Sequence, residues 1–439
     1  MSSTATTANA RSAERTRGGR LALVCGYCAA FVALGLATGA MGPTLPGLAA
    51  QARVGLGAAG VLFTARSLGF LLGALGGGRA YDRTRGHPLM AGALGAMALL
   101  LALTPLAAGL WLLAFVMLLL GCAEGLLDVG GNTLLTWTHG AQVGPAMNAL
   151  HFAYGVGAML APVVVARVGM SDGRLAPVYW TLALLVLPAA VWLLRVQSPP
   201  PPAAQSDAAG VDNATARADA HEMMKRADAD EARARVEVDE VVARVDADEA
   251  RAWFVALVAV FFFLYLGAEV GFGGWIYTCA VALRLSGADG AAYLTAGFWG
   301  ALTTGRLLAI PLAARVRPRV LLFVSLVGGL SSLALVLAAS TPVALWAGTL
   351  GYGLSCASLF PTMMTFAGRH VRLTGRVTGW FLVGASAGGM LLPWFAGRLF
   401  ERQGPRAVML LVALDLCAAL LVFAALSRRA ATAPAQRLR

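Results

Sequence analysis

The stretch "GVGAMLAPVVVARV" (155–168) returns 231 residues later as "SAGGMLLPWFAGRL" (386–399). Gly157 falls on Gly388, Met159 on Met390, Pro162 on Pro393 and Arg167 on Arg398. A second pair, "LGLATGAMG" (34–42) and "LGAEVGFGG" (266–274), repeats at an offset of 232. Apolar helices rich in glycine look alike because small residues suit helix contacts. Two near-equal offsets in the same order go beyond that likeness and predict a chain of two halves built to one plan.

Composition says what the halves are made of. Of 439 residues, 58% are hydrophobic and 13% charged, about half the charge of a soluble chain. Apolar runs of about 20 residues, each long enough to cross a bilayer as a helix, number twelve: 21–43, 56–78, 88–107, 110–136, 147–167, 176–195, 252–283, 290–314, 319–339, 341–366, 376–400 and 406–427. The fold class is an all-α polytopic membrane protein with twelve transmembrane helices in two pseudo-symmetric halves of six.

Charge orients it. Of 34 basic residues, 25 fall in alternate loops and the termini, among them Arg79, Arg83 and Arg85, then Arg315, Arg317 and Arg319, then Arg369. The positive-inside rule puts both termini in the cytoplasm of a multi-pass protein of the cytoplasmic (inner) membrane. Anchoring in the lipid bilayer accounts for the net charge of +12, so nucleic acid is not an expected partner. The first run is longer than the apolar core of a signal peptide and is read as an uncleaved span. All six cysteines lie in apolar segments. "CGYC" (25–28) lacks the second pair or histidines that zinc needs, so neither a metal site nor a disulfide framework is expected.

Residues 196–251 interrupt the apolar pattern with "SPPPP" and 13 of the 22 acidic residues. "RADADEARA" (226–234) recurs as "RVDADEARA" (244–252), a spacing of five helical turns. The expected organisation is an N-terminal tail over 1–20, a first half over 21–195, a charged linker over 196–251, a second half over 252–427 and a tail over 428–439.

Few groups in the apolar runs can carry chemistry. "GCAEGLLDVGGN" (121–132) sets Glu124, Asp128 and Asn132 four residues apart, on one helix face. Each intramembrane carboxylate costs about 2.5–3.5 kcal/mol at a helix centre on insertion scales, so this face must look into a cavity or the bundle interior. Two neighbouring carboxylates repel, which lets one hold a proton near neutral pH; either can instead offer oxygen to sodium. Glu124, Asp128 and His151 are therefore candidates for ion coupling. Arg66, Arg306 and His151 also lie within apolar runs, and pairing with them is the structural alternative for these acids. Asp415, in the twelfth run, is expected to take part in such charge pairing, as Arg66 and Arg306 are.

Glu269 heads "EVGFGGWIY" (269–277), where glycines weaken the helix beside Trp275 and Tyr277. A carboxylate for hydroxyls and an aromatic face for a sugar ring would form a site; an interfacial aromatic belt is the alternative. Asn148 and His151 enter the fifth run near Asp128 and Asn132, and Trp299 sits in the eighth. Candidate substrate-binding residues are Asn132, Asn148, Glu269, Trp275, Tyr277 and Trp299.

The loop "GGGRAYDRTRGH" (76–87) resembles the signature between helices two and three of the major facilitator superfamily. Asp82, Arg83, Arg85 and Gly86 stand in positions of that signature and His87 takes its last basic place. The resemblance implies that Asp82, Arg83 and Arg85 latch the two halves in one conformation. "DVGGNTLL" (128–135), "NALHFAYGVGAMLAP" (148–162), "LYLGAEVGFGGWIYT" (264–278) and "GFWGALTTGRLLAI" (297–310) look like the sodium-dependent glucose transporter branch. "GCAE" (121–124) is similar to the helix-four acid of fucose permease, although residues 21–46 hold no counterpart of that protein's helix-one acid.

What the resemblance implies is a secondary transporter of a monosaccharide or polyol, working by alternating access and driven by sodium or protons, with no other cofactor. A monomer is expected. The rival readings are a drug or amphiphile exporter of the same fold and a non-transporting sensor or scaffold. No enzyme is expected: "GASAG" (384–388) matches a hydrolase elbow but lies mid-helix, where that strand-to-helix turn cannot form.

Overall fold

The structure, a computed structural model, describes residues 2–140, 143–169, 174–199, 233–371 and 375–432. Among them it is helical, with no strand. The first six long helices are α1 (Ser2–Ala52), α2 (Val61–Arg83, after the turn Leu56–Ala59), α3 (Gly86–Leu103), α4 (Leu110–His139), α5 (Gly144–Val168) and α6 (Ala176–Arg195). The second six are α7 (Arg233–Ala282), α8 (Ala288–Arg315), α9 (Pro318–Ala338), α10 (Pro342–Cys356, resuming as Leu359–Gly368), α11 (Gly375–Gln403) and α12 (Pro405–Thr432). Helices α1 and α7 start well before the apolar runs they contain. Linker residues 200–232, including most of the first copy of its repeat, lie outside the described residues, as do Arg372 and residues 433–439.

Eleven of these helices are long and apolar enough to cross a membrane. The exception is α8, which Arg306, its glycines and its threonines keep less apolar. It is nevertheless a helix of 28 residues among eleven that span. Large side chains such as Leu72, Trp111, Phe115, Leu184 and Leu421 stand exposed on the outer faces, where lipid is their solvent.

Small residues set the contacts, because lipid offers no hydrophobic drive between helices and packing must supply the association. A Cβ on Gly157 would overlap the Val32 carbonyl oxygen, and one on Gly388 would overlap that of Phe263. Both members of each pair differ by 231 in number. The duplication is thus the same contact made twice, α1 on α5 and α7 on α11. Gly69 and Gly73 likewise meet the backbone of α4, and Gly121 and Gly125 that of α2.

The two ends of the bundle differ. At the end bearing Arg83, Arg85, Arg315, Arg317 and Arg369, here called the basic end, Asp82, Arg83 and Arg85 are exposed. His87 beside them is buried. Its ring bonds the Tyr27 hydroxyl and the Val196 carbonyl, both at 2.8 Å, so it ties α1 and the linker's first residues to α3.

At the opposite end the halves touch. A Cβ on Gly42 of α1 would lie 2.8 Å from the Gly273 oxygen and 3.0 Å from that of Gly274 on α7. The Gly57 amide donates to Glu401 of α11 at 2.7 Å.

Candidate functional site

Between the halves lies a cavity of about 730 Å³ that runs from mid-bundle to Val316, Pro318 and Arg369 at the basic end. Helices α1, α2, α4 and α5 of one half face α7, α8 and α10 of the other across it. Its aromatic walls include Phe31, Phe63, Phe70, Tyr154 and Trp299.

Glu124 and Arg66 form a closed pair. Arg66 Nε donates to Oε2 at 2.9 Å and Nη2 to Oε1 at 2.5 Å. The side chains are 3% and 11% exposed, so both charges are largely out of water. The fork of a guanidinium matches a carboxylate in two parallel bonds, and a second donation from Nη2 reaches Thr38 at 3.3 Å. Pairing therefore accounts for Glu124.

Asp128, one turn on, also lines the cavity, but no basic side chain pairs with it among the described residues. Asn132 does not extend the stripe into the cavity: its amide turns back to the Asp128 carbonyl at 2.9 Å. Asn148 and His151 do reach the lining, and His151 sits edge-on to Phe31 with ring centroids 6.0 Å apart.

On the other half Glu269 is buried, and its Oε2 accepts the Tyr265 hydroxyl. Its Oε1 lies 3.9 Å from Arg306 Nη2, beyond hydrogen-bond reach. Trp299 lines the cavity. Trp275 and Tyr277, expected beside Glu269, do not. Trp275 is 0% exposed, lies between Phe63 and Phe400, and donates its indole N–H to the Pro393 carbonyl at 3.0 Å. Tyr277 is buried as well. Helical phase accounts for Trp275, since six residues from Glu269 is about 120° around the helix; Tyr277, eight residues on, lies two turns further along the helix.

Asp415 corrects a second expectation. It is 9% exposed, and its Oδ2 has no hydrogen-bond partner, so charge pairing does not account for it among the described residues. Asp82 and Arg83 end α2 and Arg85 stands in the short connection after it; all three are exposed and outside the cavity, so the expected loop begins only at Thr84. Sequence reasoning missed Tyr265 and Tyr154. Both were within reach of it, four residues before Glu269 and three after His151, spacings that share a helix face.

Comparison with known proteins places this arrangement. A model of the Major Facilitator Superfamily matches residues 27–393. The chain is 30% identical over 432 residues to the human sodium-dependent glucose transporter 1, covering 94% of this chain and 80% of that protein. It is 32% identical to the zebrafish (Danio rerio) protein of that name over 89% of this chain, spanning just under two thirds (66%) of the relative's length. Human major facilitator superfamily domain-containing protein 4A is 26% identical over 86% of each chain. Among solved structures, a mutant of the nucleoside transporter NupG superposes with a TM-score of 0.70 at 14% identity over 93% of this chain and 99% of its own. The Escherichia coli xylose transporter XylE, in a partially occluded inward-open conformation, gives 0.68 at 14% over 92% and 98%.

Proposed function

The chain belongs to the major facilitator superfamily, and from that premise we propose that it is a secondary active transporter moving a monosaccharide or similar polyhydroxylated solute. Transport is by rocking of the two halves about the cavity, coupled to one cation, H⁺ or Na⁺. The names of the relatives support a sugar and a sodium dependence. The basic end faces the cytoplasm, as charge bias favours, so this conformation opens inward. The protein acts as a carrier and not as an enzyme.

The observation that carries this reading is the charge balance of the cavity. In the deep part of the cavity three carboxylates, Glu124, Asp128 and Glu269, face two guanidinium groups, Arg66 and Arg306, while a third, Arg369, is exposed at the mouth on the basic end. A neutral solute leaves one negative charge uncompensated, and a single monovalent cation at Asp128 removes it. A bare intramembrane carboxylate is costly, so a bound ion stabilises the loaded state. Asp128, and not the neutralised Glu124, takes the coupling ion.

Uptake of labelled hexoses by proteoliposomes, under a sodium gradient and separately a proton gradient, tests the reading. Concentrative uptake under one of the two gradients is expected. Asp128→Asn should abolish accumulation and keep hexose exchange. No hexose uptake under either gradient would overturn the reading, and uptake of amphiphilic dyes instead would favour an exporter.

A further inference from the structure

Arg306 is the other unusual group in the cavity. Its side chain is 28% exposed, so water satisfies it only in part. Among the described residues its guanidinium makes no hydrogen bond, and its ion-pair partner Glu269 is 3.9 Å away. Arg66, by contrast, binds both oxygens of Glu124 and reaches Thr38. The two acid–arginine pairs of this cavity are built differently, one closed and one open.

The opening has a size. At 3.9 Å the two groups are too far apart to bond each other. One hydroxyl oxygen can sit between them, accepting from the guanidinium and donating to the carboxylate at about 2.8 Å each. The other oxygen of Glu269 is held by the Tyr265 hydroxyl, which fixes the direction of the free one. Arg306 lies beside the seam. Thr303, three residues before it on α8, packs against the bare backbone of Gly155 on α5. One turn from that contact on each helix, Arg306 and His151 both line the cavity.

We propose that Arg306 is the donor that grips the solute through two neighbouring hydroxyls, one of them shared with Glu269, so that the carrier selects neutral solutes with a vicinal diol. The planar fork of a guanidinium offers two N–H groups side by side, matched to two adjacent oxygens. Lysine, a point charge on a flexible stem, is not equivalent there. The excess of carboxylates in the deep part of the cavity, around Arg306, disfavours an anionic sugar, which a bare arginine would otherwise attract. This assignment rests on the reading of the cavity as a site for a polyhydroxylated solute.

Calorimetry on the detergent-solubilised full chain tests it, with D-glucose, D-mannose, D-galactose and L-fucose in a sodium buffer at neutral pH. The hexose that binds is then compared with its monodeoxy analogues and its uronate. In the unaltered protein, two analogues lacking neighbouring hydroxyls should each bind ten-fold or more weakly, and the uronate should bind no better than the hexose. Arg306→Lys should weaken the hexose ten- to hundredfold and erase the penalty at one of those two positions. Equal affinity across the deoxy series overturns the proposal without any variant, as does a uronate that binds more tightly than the hexose. Unchanged affinity and an unchanged deoxy pattern in Arg306→Lys also overturn it and leave the transport reading standing. If no hexose binds the unaltered protein, it is the transport reading that falls, and this assignment with it.

Discussion

Glu124 and Asp128 stand one helical turn apart in one cavity, yet they should answer mutation differently. Glu124→Gln strips a buried guanidinium of its partner, a loss that typically costs about 3–5 kcal/mol. Its thermal unfolding should therefore shift sharply downward, and pairing it with Arg66→Met should recover part of the loss. Asp128→Asn removes a charge that no base compensates, so the melt should hold or rise while coupling is lost. Equal destabilisation by the two single variants would refute the division of roles. The carboxylate spacing was legible in "EGLLD", but the partner of Glu124 was not, because Arg66 is 58 residues away on another helix. Trp275 shows the opposite case. Its phase relative to Glu269 was available from the numbers alone, and the same count that turns it away brings Tyr265 onto the acid's face.

At the level of elements, the end of the bundle opposite the basic end is sealed by backbone. Gly42 of α1 lies so close to Gly273 and Gly274 of α7 that a methyl group would meet carbonyl oxygens at 2.8 and 3.0 Å. Gly42→Ala should therefore disfavour the conformation seen here and populate one open at that end. In a cysteine-free background, a cysteine at Phe63 should then react faster with an impermeant maleimide added from that side. Unchanged labelling would show that the seal tolerates a methyl. Glu401→Ala, which deprives the Gly57 amide of its acceptor, should push the same way more weakly, since loss of an amide-capping side chain is typically worth about 1 kcal/mol. Apolar run length gave away all twelve helices. It could not show the break in α10, although its cause is local: Pro361 has no N–H to offer the Ala357 carbonyl, and the helix stops between Cys356 and Leu359. Nor did run length set α8 apart, although Arg306, its glycines and its threonines keep its hydropathy below that of the other eleven.

For the whole molecule, the duplication was legible because it rests on a backbone contact, Gly157 on Val32 and Gly388 on Phe263, that tolerates no side chain. The site was only half legible, because it forms where the halves differ. The counterparts of Glu124 and Glu269 at the repeat offset of 232 are Cys356 and Ala37, so neither acid has a twin. Asp82 lies in the last turn of α2 at the basic end, exposed and outside the cavity lining. Asp82→Asn should slow turnover and change equilibrium hexose affinity only a few-fold, within about 1 kcal/mol; a large affinity loss at normal turnover would place the residue in binding instead.

The unequal numbers of carboxylates and guanidinium groups in the deep part of the cavity, inward of the exposed Arg369, also have an electrical meaning. With a neutral sugar and one cation aboard, the moving interior is uncharged; empty, it carries a single negative charge. An elementary charge crossing the full membrane potential gains or loses about 2.3 kcal/mol per 100 mV. A negative-inside voltage therefore drives the empty carrier back to its outward-facing form and leaves the loaded step untouched. In voltage-clamped proteoliposomes, net uptake at saturating sugar should accelerate with hyperpolarisation, while sugar-for-sugar exchange, which cycles only loaded carriers, should not. If exchange accelerates equally, the charge travels with the cargo and the return step is the silent one.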